Sequence, residues 1–138
     1  MNKKGIYLID DDELINISTQ IQISEYFDAN EFYIETFTDP IEAIEEIKFN
    51  FSQNIEPTIC IIDFQMPKMN GDKVVRIIKE FHPETKCIML SGNSSASIVA
   101  DLVDENLLDF YISKPWEKKE LLNKLNQCLP IINKISFE

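Results

Sequence analysis

The stretch TICIIDFQMPKMNGDKVVRIIKEF, residues 58–81, decides how the chain is read. Ile59, Cys60, Ile61 and Ile62 run without a polar break into Asp63, which suits a strand of a buried sheet. A loop carrying Pro67 and Gly71 follows, and then Val74, Ile77, Ile78 and Phe81 recur at helical spacing. Strand, turn and helix in that order make one β–α unit.

The same unit repeats outward in both directions. Short apolar runs stand at Ile6 to Ile9, Phe32 to Phe37, Cys87 to Leu90 and Phe110 to Ile112. Helically spaced apolar residues lie between and after them: Leu14, Ile17 and Ile21; Ile41, Ile44 and Ile47; Ile98 and Leu102; Leu122, Leu125 and Leu129. Strand and helix alternate five times, which predicts an α/β fold with a parallel sheet and helices on both faces, because parallel neighbours need a crossover. Asp39 before Pro40 reads as a helix cap followed by a first-turn proline.

With 138 residues the chain fits a single domain of residues 1–138, a core of about 4–129 and a short tail, 130–138. No apolar run reaches membrane-spanning length, and MNKKG leads into too few apolar residues for a secretory signal, so the expected location is cytoplasmic with no membrane partner. A net charge of -11 argues against direct contact with nucleic acid and leaves a protein partner as the expectation. Cys60, Cys87 and Cys128 are widely spaced in apolar segments, which predicts buried, reduced thiols rather than disulfides or a metal site. One histidine and three glycines leave no residues for a Ser-His-Asp site, a zinc protease helix or a phosphate-binding glycine loop.

Ligands of open parallel sheets bind beyond the carboxyl ends of the strands. There the sequence sets Asp10 and Asp11 after the first run, Asp63 after the third, Ser91 after the fourth and Lys114 after the fifth. Three carboxylates against one ammonium leave an excess of two negative charges. A divalent cation would match it, and oxygen donors without His or Cys point to Mg2+ or Mn2+. Such an ion suits phosphoryl transfer, in which a carboxylate can be the nucleophile.

LIDDDE, CIIDFQMPKMNG, IMLSG and YISKPW, in this order and spacing, resemble the receiver domain of two-component response regulators over most of the chain. The resemblance implies a flavodoxin-like fold with sheet order 2-1-3-4-5. It implies that Asp63 accepts a phosphoryl group from a sensor histidine kinase or a phosphotransfer protein. Asp10, Asp11, Asp63 and the backbone carbonyl of Gln65 would hold the metal, and Lys114 would pair with the carboxylate and then the phosphoryl oxygens. Ser91 and Tyr111 would act as switch residues, repacking the face of the fourth helix, fifth strand and fifth helix that a downstream partner reads. A phosphorylation-dependent homodimer is a further form that this output could take. Gln65 and Asn93 flank the site at positions that in that family tune the lifetime of the acyl phosphate, and the resemblance implies a cis Lys114–Pro115 bond.

Other residues have plainer readings. Asp12 and Glu13 read as first-turn acids favoured by the helix dipole. Trp116 is expected to pack at the start of the last helix, and His82 to cap the third helix or lie on the surface. The rival enzyme is a haloacid-dehalogenase-like phosphatase with Asp10 as nucleophile and Asp12 as general acid. Against it, no Asp follows Lys114, and Leu14 stands where that family has Thr or Val. A non-phosphorylated protein-interaction module is the other alternative. In the favoured reading the protein is not a turnover enzyme, because its substrate is its own side chain.

Overall fold

Alternation along the central strands explains why the sheet is covered on both sides. In β1 (Lys3–Ile9), Ile6 and Leu8 face one layer while Tyr7 and Ile9 face the other. The same division holds in β3 (Ile55–Asp63), with Ile59 and Ile61 opposite Cys60 and Ile62, and in β4 (Lys86–Ser91), with Ile88 and Leu90 opposite Cys87 and Met89. An apolar run in both registers forces burial on both faces, and each fully buried Ile or Leu is worth about 1.5 to 3 kcal/mol. β2 (Phe32–Phe37) and β5 (Phe110–Ser113) complete a parallel sheet of order β2-β1-β3-β4-β5. The computed structural model describes residues 3–92 and 96–129. Asn93 and the 130–138 tail lie outside the described residues.

Helices α1 (Glu13–Ser24) and α5 (Lys118–Gln127) cover one face, packing Ile23, Leu121, Leu122 and Leu125 onto Ile6, Leu8 and Ile61. Helices α2 (Pro40–Ser52), α3 (Gly71–Phe81) and α4 (Ala96–Asp104) cover the other with Ile44, Ile47, Val74, Ile78 and Leu102. Asp39 caps α2 as read, accepting the N–H of Ile41 at 2.9 Å with Pro40 in the first turn. Asp12 is the N-cap of α1 rather than a first-turn residue, accepting the N–H of Leu14 at 3.0 Å.

Three expectations change. Leu14, Ile17 and Ile21 mark α1 correctly but point outward, at 75%, 46% and 68% exposure, while Asn16, Thr19 and Ile23 form its buried side. β3 starts at Ile55, four residues before the apolar run, because Ile55, Glu56 and Pro57 pair with Lys3, Lys4 and Gly5 of β1. A register shift between Gly5 and Ile6 accommodates Pro57, which has no N–H to give the ladder. His82 does cap α3, but it is buried: its Nδ1 meets Thr85 Oγ1 at 2.8 Å and its Nε2 faces Glu56 at 3.4 Å. The three thiols are buried and form no disulfide, and Lys114–Pro115 is cis.

Candidate functional site

The ends of β1, β3, β4 and β5 contribute the groups of an acidic mouth. β1 stops at Ile9 because the next residue, Asp10, gives its N–H to the carbonyl of Phe37 at 3.1 Å and then turns into the α1 cap. Asp10 is 3% exposed. Its Oδ1 accepts the N–H of Asp12 at 2.9 Å and its Oδ2 accepts Lys114 Nζ at 2.9 Å. Lys114 follows β5 and also donates to Asp63 Oδ1 at 2.8 Å, so one ammonium bridges the acids at the ends of β1 and β3. Asp11, next to Asp10, is exposed at the mouth.

Carboxylate oxygens of Asp10, Asp11 and Asp63 lie within 4.8 Å of one another. Burial pushes the Asp63 carboxyl up to about 6; Lys114 pulls it down, and Asp10 and Asp11 push against its charge. Asp10 is raised for the same first reason, burial, against the pull of Asp12 N–H and Lys114. Burial alone would lower Lys114, but the two carboxylates hold its ammonium above the ordinary value. One lysine thus leaves the acids undercompensated, and the donor set is all oxygen. These are the conditions that suit a hard divalent cation such as Mg2+ or Mn2+.

The loop after Asp63 is pinned as soon as it leaves the strand. Phe64 N–H donates to the Leu90 carbonyl at 3.2 Å, and Gly71 N–H donates back to the Phe64 carbonyl at 2.7 Å. Gly71 sits so close to the strand that a Cβ there would stand 2.3 Å from the Asp63 carbonyl oxygen. Gln65 lies exposed in this loop. Lys68, with φ of 71°, ties the loop to the α2 cap through a 2.7 Å ion pair with Asp39.

Ser91 is buried one residue beyond Leu90, the partner of Asp63 in the β3–β4 register. Its hydroxyl donates to the Gly92 carbonyl at 3.1 Å, and the half-buried Tyr111 donates to the same carbonyl at 3.1 Å. Trp116 packs onto the α1/α5 layer, its indole N–H donating to Gln22 Oε1 at 3.1 Å. Asp10, Asp11, Asp63 and Lys114 therefore form one cluster, with Ser91 and Tyr111 beside it on a shared carbonyl. Asp12 is engaged as a helix cap through Oδ1, and the phosphatase assignment is not favoured.

Two residues at the site escaped the sequence reading. Gly71 was legible only as a turn glycine, because nothing local signals that the Asp63 backbone passes beside it. Asn16, with its side-chain amide on the carbonyls of Asp10 and Phe37, carries no motif and sits inside an apolar helical pattern that points elsewhere.

The sequence model of the response regulator receiver domain matches residues 6–126. Chemotaxis protein CheY of Thermotoga maritima is 28% identical over 90 residues, covering 65% of this chain and 70% of its own length. Response regulator MprA of a Mycobacterium species is 26% identical over 124 residues, 90% of this chain, but the chain spans 50% of that relative. Among solved structures, the response regulator TrrA of Thermotoga maritima, in complex with Mg2+ and BeF, is 26% identical with a TM-score of 0.71, covering 91% of this chain and 99% of that one. A receiver domain from Clostridium thermocellum, 23% identical with a TM-score of 0.76 over 91% of this chain and 93% of its own, has the same fold.

Proposed function

The chain belongs to the response regulator receiver family, whose members are phosphorylation-dependent signalling switches, and on that premise we propose that Asp63 is its phosphoacceptor. The observation that carries this reading is the position of Asp63: at the end of β3, 7% exposed, one oxygen on Lys114 at 2.8 Å and the acid pair within 4.8 Å. Receiver domains take their phosphoryl group from histidine kinases or phosphotransfer proteins, so the donor is a phosphohistidine. A carboxylate oxygen of Asp63 attacks phosphorus in line with the P–N bond. The O–P bond forms as the P–N bond breaks, and the imidazole leaves with the electron pair and takes a proton from solvent. Hydrolysis restores Asp63: a water oxygen bonds to phosphorus as the Asp63 O–P bond breaks, the carboxylate leaves with the electron pair, and inorganic phosphate and a proton pass to solvent.

Asp10, Asp11, Asp63 and the Gln65 carbonyl would hold Mg2+, or Mn2+. When bound, that ion supplies charge neutralisation for the phosphoryl oxygens. Lys114 neutralises Asp63 beforehand and follows its charge onto the phosphoryl group. Ser91 turns its hydroxyl from the Gly92 carbonyl toward the phosphoryl oxygens, and Tyr111 keeps or strengthens its hold on that carbonyl. This rearrangement would alter the face of α4, β5 and α5, where a downstream protein, or a second copy of the chain, reads the state. Neither nucleic acid nor membrane enters this reading, and no helix among the described residues is long and apolar enough to cross a membrane. The chain works as one receiver unit whose substrate is its own side chain.

Trp116, the single tryptophan, follows Lys114 by two residues and reports on the site. Beryllofluoride with Mg2+ should change its fluorescence saturably in the wild type and leave Asp63→Asn unchanged. An equal response in Asp63→Asn would count against Asp63 as the acceptor.

A further inference from the structure

Asn16 lies on the buried side of α1 at 3% exposure, and the chemistry proposed above never calls on it. Both hydrogens of its amide are committed. Nδ2 donates to the Asp10 carbonyl at 2.9 Å and to the Phe37 carbonyl at 2.9 Å. These two carbonyls stand where the β1–β2 ladder runs out: Ile9 is the last residue of β1 to pair, opposite Phe37, and the Asp10 N–H closes the final rung. Strands that end inside a covered sheet leave carbonyls without a next residue to donate to them, and buried carbonyls must find a donor. The Phe37 carbonyl already accepts the Asp10 N–H, and the Asn16 amide adds a second donor there while supplying the one that the Asp10 carbonyl needs.

The Asp10 carbonyl is the oxygen of the peptide that joins Asp10 to Asp11. Fixing that oxygen fixes the plane of the peptide, and with it the directions in which the two carboxylates leave the backbone. The Asp10 carboxylate is held independently by Asp12 N–H and Lys114. With both peptide and carboxylate held, Asp10 has little freedom left, and the exposed Asp11 starts from a fixed point. We infer that Asn16 is a positioning residue for the acidic pair, setting from α1 the spacing at which Asp10 and Asp11 meet a divalent cation. The inference rests on the metal reading of the preceding section. Outer-shell partners of this kind orient ligands without touching the ion, and losing one typically weakens metal binding about 10- to 100-fold.

Thr19 supplies the control. It is buried on the same side of α1, 2% exposed, but its hydroxyl donates within its own helix, to the Ile15 carbonyl at 2.7 Å. Calorimetric Mg2+ titration at pH 8 of the wild type, Asn16→Ala, Asn16→Ser and Thr19→Ala, each paired with urea unfolding, tests the assignment. Asn16→Ala should weaken Mg2+ binding about tenfold or more. Asn16→Ser, which keeps one donor, should fall between and carries the comparison if the alanine variant does not fold. Thr19→Ala should lose stability and keep the wild-type affinity. Wild-type affinity in both Asn16 variants, or an equal loss in Thr19→Ala, would overturn the role of Asn16 while leaving the metal site standing. A wild-type protein that binds no Mg2+ would overturn the metal reading and this inference together.

Discussion

Asp63 carries its charge at a cost to the fold. Its carboxyl ordinarily titrates near 3.8, and burial moves it to about 6 even with Lys114 at 2.8 Å, so the folded protein binds this proton more tightly than the unfolded chain does. Above that value the cost is fully present. As pH falls through 6 toward 4, the folded state takes up a proton that the unfolded state does not, and stability rises. Asp63→Asn should therefore stabilise the metal-free protein by about 1 to 2 kcal/mol at pH 8, less than the full shift because solvent reaches the mouth, with the gain vanishing near pH 4. Urea unfolding across that range measures it; an Asn variant that is less stable at pH 8 would show that Lys114 compensates the acid completely. The acids and Lys114 were legible because each ends an apolar run. Asn16 was not, because hydrogen bonds to backbone carbonyls leave no pattern of residue types.

At the scale of elements, periodicity located every strand and helix but did not orient all of them. Leu14, Ile17 and Ile21 gave α1 its helical signature, yet its inward side is Asn16, Thr19 and Ile23, with the Asn16 amide on the carbonyls of Asp10 and Phe37. β3 likewise extends over Ile55, Glu56 and Pro57, whose pairing with β1 no apolar run announces. The junction of β3 and α3 is the tightest joint at the site. Gly71→Ala would set a methyl group 2.3 Å from the Asp63 carbonyl oxygen, so backbone must move. The expected loss is about 1 to 3 kcal/mol in urea unfolding, the usual range for overpacking, with slower phosphorylation at Asp63. Gly92→Ala, which meets nothing within 4 Å, should be tolerated by the fold and serves as the comparison. A Gly71→Ala protein as stable as the Gly92→Ala protein would mean that α3 can slide without disturbing β3.

The whole molecule joins a sheet packed on both faces to an acidic edge. Buried Ile, Val, Leu and Met on both faces pack the strands, and the site is built at the ends of four of them, β1, β3, β4 and β5. Ser91 and Tyr111 share the Gly92 carbonyl, so in the proposed switch a hydroxyl drawn toward a phosphoryl group would change what the other meets. A partner that binds the two arrangements differently turns that local change into a signal, and one that binds them equally receives none. The account stands on Asp63 as the acceptor. Its most direct test is intact-mass analysis after incubation with acetyl phosphate and Mg2+, followed by borohydride reduction, which converts an aspartyl phosphate to homoserine. The account predicts one phosphoryl group per chain, homoserine at position 63, and no gain in Asp63→Asn or when the metal is chelated. Homoserine at any other position, or an undiminished gain of mass in Asp63→Asn, would contradict it.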